Sequence, residues 1–221
     1  MTIKVSGKDS QGRNILRTAY AFNGIPKKMT YIIASPGFYI NEVATYGANK
    51  VTATANGKIS PTTTFKATVV CPFRYIGGQK CFGTGTTNTV FYQDGKFLAK
   101  STMATTFSYK GFNGYYAIIK STETTKTTYA NGNTRKSIIN YNYIRNSVGT
   151  LSGLKVSGTS QGTQKINSKF VNYTGKISMS TTYDPRDLLN EKFNVGNYKE
   201  ILTSSAPKLL KFFPFESINW G

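Results

Sequence analysis

Apolar and polar residues alternate through most of the chain with the two-residue period of half-buried β-strands. In Thr64 to Cys71, Phe65, Ala67, Val69 and Cys71 fall on one side, with Lys66 and Thr68 on the other. Val51 to Ala55 alternates in the same way. The pattern predicts further strands at 13–22, 29–34, 38–43, 89–93, 96–100, 103–109, 115–120, 125–130, 164–173 and 176–183. In the stretch NTRKSIINYNYIRN, Asn133 to Asn146, Ile139, Tyr141 and Tyr143 share one face. Ile138, Asn140, Asn142 and Ile144 share the other, and Arg135 and Lys136 point to opposite sides. Tyrosines gathered on one face predict core, since a Tyr ring buries while its hydroxyl finds a partner. The competing expectation is an open aromatic row on which single-stranded bases stack.

Asn56-Gly57, Asp94-Gly95 and Asn131-Gly132 each follow a strand-like run, and such pairs supply the positive φ angles of tight hairpins. Many short strands joined by turns, without intervening helical periodicity, predict an all-β antiparallel sandwich or jelly-roll-like body over residues 1–183. KVSGKDSQG at Lys4 to Gly12 is echoed by KVSGTSQG at Lys155 to Gly162, which reads as a shared turn type more than a duplicated half.

The pattern changes after Tyr183. Asp184 before Pro185 fits a helix N-cap with proline at the first helical position, and Leu188, Leu189 and Phe193 form a short apolar face. A second short helix is expected from Asn197 to Ser204, and an apolar run follows Pro207. Residues 184–221 therefore read as a partly helical lid on the core or a subunit-contact segment.

Charge sharpens this division. The 221 residues carry 28 Lys and Arg against 9 Asp and Glu, a formal charge of +19. Residues 1–122 hold 15 basic against 3 acidic positions, 123–183 hold 8 against 1, and 184–221 hold 5 against 5. The surplus thus belongs to the β body, where like-sign repulsion opposes compactness unless an anion offsets it. Lys outnumbers Arg 22 to 6, which favours neutralising phosphates over the forked contacts that read bases. Aromatics make up 14% of the chain, with 15 Tyr and 14 Phe, in keeping with packed β-structure. The N-terminal stretch lacks the apolar core of a secretory signal, and no run of about 18 apolar residues occurs. The expectation is a soluble chain, made in the cytosol unless a leader has been removed.

The residue inventory narrows the chemistry. With no His there is no histidine triad, imidazole shuttle or histidine metal site. The body has four carboxylates, Asp9, Glu42, Asp94 and Glu123, too few and scattered for an expected paired-carboxylate site. Two Ser-x-x-Lys spacings, at Ser152 and Ser205, match chance in a chain this rich in both residues. The glycine-rich YIGGQKCFGTGTTN lacks the Gly-Lys-Ser/Thr ending of a nucleotide loop and fits turns around a hairpin. Cys71 and Cys81 flank that hairpin, a spacing that allows a disulfide after export or two buried thiols in the cytosol. Neither a cofactor nor a small-molecule substrate is expected, and the chain reads as a non-enzyme.

The leading expectation is a homo-oligomeric structural subunit of a viral or phage particle, capsid or tail, located in the virion and facing nucleic acid or another polyanion. A second is a free single-strand-binding module, cytoplasmic, in which Arg74, Lys80, Arg135, Lys136 and Arg145 line a groove beside Tyr141 and Tyr143, with Tyr75 and Phe73 also available to stack. A third is an extracellular β-protein adhering to anionic glycans or surfaces.

Overall fold

The computed structural model describes residues 2–8, 14–22, 25–182 and 199–202. These form one antiparallel sheet of fourteen strands. The strands are β1 (Thr2–Lys8), β2 (Asn14–Phe22), β3 (Ile25–Ser35), β4 (Phe38–Tyr46), β5 (Lys50–Lys58), β6 (Thr63–Ile76) and β7 (Gln79–Phe82). They continue with β8 (Gly85–Gln93), β9 (Lys96–Phe112), β10 (Tyr115–Tyr129), β11 (Thr134–Arg145), β12 (Leu151–Ile166), β13 (Lys169–Thr182) and β14 (Lys199–Leu202). The all-β antiparallel class is the one the alternation predicts. Neighbours in the sheet are consecutive in the chain except that β6 pairs with both β7 and β8, so the order is a meander and not the crossed order of a jelly roll.

Hairpin chemistry explains several of the reversals. Asp94 and Gly95 both take positive φ, 49° and 76°, in the two-residue turn between β8 and β9. Asn113-Gly114 and Asn167-Ser168 do the same between β9 and β10 and between β12 and β13. Such turns match the twist of the strands they join. The single strand expected over 164–173 is therefore split by the Asn167-Ser168 turn. Strands expected at 96–100 and 103–109 fuse into β9, and those at 115–120 and 125–130 into β10.

Asn56-Gly57 is not a turn. Both residues lie within β5, where Gly57 is buried between its partners Ile40 and Phe65. An added Cβ there would run into the Tyr39 carbonyl oxygen and the Phe65 ring, so the glycine admits a close approach and the reversal waits until residues 59–62. The second echo segment, Lys155 to Gly162, is likewise not a turn but the middle of β12. Lys4 to Lys8 of the first copy is also strand, in β1.

The segment after Tyr183 is described only at Lys199–Leu202, which is strand β14 on the edge of β13, where a short helix was expected. The open edge of β13 offers its backbone groups to this segment. The remaining helical expectations, at 184–198 and after 203, lie outside the described residues.

From β4 to β12 one face of the sheet is covered and the other exposed. The covered, inner face carries three apolar clusters. Ile40, Ala55, Phe65 and Ala67 form one, Ala44, Val51 and Ala53 a second, and Ile139, Tyr141, Leu154, Val156 and Ile177 a third. Each cluster consists of residues that are cross-strand partners, diagonal neighbours or second neighbours along a strand, as sheet packing requires. The inner face is not wholly apolar: Ser121, Glu123, Arg135, Ser137, Ser160 and Gln164 are buried on β10 to β12.

Beyond its pairing with β8, β6 runs on to form a short arm with β7, closed by Gly77 and Gly78, both at positive φ. The arm is anchored over β9 and β10. The Arg74 guanidinium donates to the Phe107 carbonyl at 2.9 Å and lies 5.2 Å from the Tyr109 ring centroid. Gln79 bonds both the N–H and the carbonyl of Tyr116, and the Tyr109 hydroxyl donates to the Phe82 carbonyl.

Candidate polyanion-binding face

Because antiparallel partners share a face, the registers assign every side chain of the central strands to one side. Glu42 of β4 is partnered by Ala55, which is partnered by Ala67, and all three are buried on the inner side. One residue along, Asn56 pairs with Lys66, Lys66 with Val90, Val90 with Lys100 and Lys100 with Thr128. This outer row is followed by a second, Thr68, Asn88, Thr102, Lys126, Lys136 and Gln161. A third runs through Val70, Thr86, Ala104, Thr124, Ile138, Thr159 and Lys176.

The outer rows thus consist of threonine, asparagine and lysine with a few aliphatics. Cross-strand polar pairs tie them together, with Thr102 donating to the Asn88 side-chain oxygen at 3.2 Å and Thr122 to that of Asn140 at 2.9 Å. Lys120 and Lys155 occupy the same face through their common neighbour Asn142.

The acids are kept from the outer face, while the inner face holds them together with Arg135. From β4 to β13 the carboxylates Glu42 and Glu123 sit on the inner side, and Asp94 is confined to a turn. Among the described residues of these strands the outer side carries no acid. Lys126 and Lys136 are direct cross-strand partners there, an arrangement in which like charges repel.

The residues proposed from sequence for a stacking groove do not converge. Arg135 is buried on the inner face, whereas its neighbour Lys136 is on the outer face. Tyr141, only 2% exposed, donates its hydroxyl to Glu123 at 2.8 Å. Tyr143 is half-buried beside it, its hydroxyl 3.2 Å from that of Ser121, and burial pushes its pKa up. Arg145 donates to the carbonyls of Ile118 and Gly149, closing the rim of β10 and the β11–β12 loop. Arg74 and Lys80 lie on the arm, the latter 4.2 Å from the Phe73 ring centroid. Phe73 stacks on Phe82, and Tyr75 is 70% exposed on the same arm. The two tyrosines are core, as their common face implies, and only Lys136 belongs to the basic outer face.

Cys71 and Cys81 are both buried free thiols. Cys81 is opposite Arg74, three residues beyond Cys71, which separates the two positions by about 10 Å along the arm. A disulfide needs Cα atoms within roughly 7 Å, so this register does not allow the bond that the sequence spacing left open. Burial pushes both thiols above the usual cysteine range, which disfavours the reactive thiolate.

The outer lysine rows are not legible as a unit in the sequence, because residue spacing along one strand does not reveal which positions of distant strands align. The signal that was available is the parity of Lys66, Lys100, Lys126 and Lys136 relative to the apolar residues of their own strands. Among the described residues, no group of three His, Cys, Asp or Glu could hold a metal, and no helix is long and apolar enough to cross a membrane. No family model, no curated protein and no solved structure matches the chain.

Proposed function

We propose that the protein is a non-catalytic structural subunit of a viral or phage particle, and that the outer face of its sheet neutralises nucleic acid. The observation that carries this reading is the placement of charge: lysines occupy the outer rows of β5 to β13 while Glu42 and Glu123 are turned inward. A fold selected only for solubility gains from mixing both signs on its surface, which relieves repulsion. Here the acids are withheld from the face where they would offset the lysines.

The edges support a role in assembly. Among the described residues, β1 pairs on one side only, with β2, and β14 only with β13. An open strand edge is a template for a neighbouring chain. The reading as a free single-strand binder that stacks bases on Tyr141 and Tyr143 has less support, because both rings belong to the inner face.

Light scattering of the full chain, with and without nucleic acid at moderate salt, tests assembly. A large discrete particle is expected, and a monomer under both conditions would remove the particle role. Affinity for nucleic acid is expected to fall steeply as salt rises, through loss of counterion release.

A further inference from the structure

We infer that Lys66, Lys100, Lys126, Lys136 and Lys176 form a single track on which a nucleic-acid backbone lies across the strands, held through its phosphates and not its bases. This rests on the functional reading above and specifies where on the face the polyanion runs.

The registers define the track. Lys66 and Lys100 share the first outer row, with Val90 between them. Lys126 and Lys136 are partners in the second, and Lys176 belongs to the third. Each step across the sheet from β6 to β13 is therefore level or shifted by one row, giving a shallow diagonal. Six inter-strand steps of about 4.8 Å make it roughly 29 Å long, measured along the sheet. A duplex places a charge every ~1.7 Å of its axis, so phosphates are denser than the lysines and each ammonium finds one in any register. Sequence-independent binding follows from that mismatch.

Two further features fit phosphate and not base contact. Hydroxyl and amide side chains lie beside the lysines in the same rows, namely Thr128, Thr102 and Gln161, and such groups bond phosphate oxygens. The outer rows joining the five lysines contain no aromatic residue, so they offer bases nothing to stack on. The Lys126–Lys136 pair supplies an independent argument. Two facing cations without an acid in their rows destabilise the free protein, and a phosphate between them relieves that repulsion.

The test compares two triple variants of the full chain with equal charge change. Lys100→Gln, Lys126→Gln and Lys136→Gln remove the middle of the track. Lys50→Gln, Lys110→Gln and Lys155→Gln remove lysines elsewhere on the same face. Binding to an oligothymidylate and to a mixed-sequence duplex, each about 30 units long, is measured against salt, with heparin as the non-nucleic polyanion. The track variant is expected to lose about 100-fold in affinity near 0.1 M salt, and its salt slope to fall by about two to three. The control variant is expected to change by less than tenfold, and both to melt no lower than the parent.

Equal losses in the two variants would overturn the track while leaving a diffusely basic face intact. No salt-dependent binding of either oligonucleotide by the parent would overturn the functional reading with it. Binding of heparin alone would do the same and assign the face to an anionic glycan.

Discussion

Tyr141 and Glu123 meet on the buried side of β10 and β11, where the tyrosine hydroxyl donates to the carboxylate at 2.8 Å. The register puts Tyr141 opposite Ser121 and Glu123 opposite Ile139, so the bond runs diagonally between adjacent pairs. A hydrogen bond to a charged group contributes about 1.5–3 kcal/mol, and both residues are at least nine-tenths covered. Tyr141→Phe keeps the ring and removes the donor. It is expected to lower unfolding free energy by about that amount in urea titrations, and a change below roughly 0.5 kcal/mol would show the bond to be dispensable.

Gly57 marks a second close approach. The site of its absent Cβ lies against the Tyr39 carbonyl oxygen and the Phe65 ring, one backbone and one buried side chain, neither of which yields easily. Gly57→Ala is expected to destabilise by about 1–3 kcal/mol through overpacking. At Gly37 an added Cβ meets nothing within 4 Å, but φ is +75°. Gly37→Ala is therefore expected to cost less, about 1 kcal/mol, from backbone strain alone. Thermal melts that rank the two in the opposite order would contradict this account of Gly57.

These two sites show what alternation reveals and where it stops. The faces of Ile139, Tyr141 and Tyr143 were legible because a strand's period is two and the apolar set is continuous. The fate of Asn56-Gly57 was not, because the same dipeptide serves a turn or a tight crossing, and the choice depends on Phe65 in the next strand. Arg135 belongs with the legible positions, since parity with Ser137 and Ile139 carries it to the covered side although its charge alone suggests the surface. The opposition of Lys126 and Lys136 needed the register of β10 on β11, which follows from the Ala130–Asn133 turn between them and not from either strand alone. The extended Lys199–Leu202 depended on a neighbour's open edge, which no local pattern records.

The β6–β7 arm carries Cys81 and is anchored over β9 and β10 by Arg74, Gln79 and Tyr109. Arg74 supplies both a hydrogen bond to Phe107 and the cation over Tyr109. Arg74→Ala is expected to leave the sheet folded while raising amide exchange across residues 73–82, since the arm's opening is a local event. The burial that now slows thiol reagents at Cys71 and Cys81 should weaken, so both should react several-fold faster in the variant. Unchanged labelling rates would mean that Gln79 and Tyr109 suffice to hold the arm.

Alkaline pH probes the same anchor. Burial beneath the arm, with the Cys81 thiol adjoining, pushes the Tyr109 pKa up from 10.0 to about 12. The folded protein keeps this proton where the unfolded chain has lost it. Tyr109 thus favours folding fully below pH 10, and the advantage drains away as pH rises to about 12. The comparison that isolates this proton is with Tyr109→Phe. The stability of the wild type relative to that variant is expected to fall between pH 10 and 12, and a pH-independent difference would place Tyr109 in a wetter site.

Lys126→Glu separates stability from binding. It turns the repulsive partner of Lys136 into an attractive one on an exposed face, where an opposite-charge cross-strand pair contributes about 0.2–1 kcal/mol. The variant is expected to unfold at slightly higher temperature in low salt, and salt should erase the gain by screening. Its affinity for nucleic acid should drop at the same time, because one cation is lost and its neighbour is occupied internally. A face kept basic only for solubility predicts the stability gain without a binding loss. Higher stability with unchanged affinity would therefore show that the lysine pair lies outside the contact, whereas opposite movements of the two quantities mean that the repulsion is retained for the sake of the bound anion.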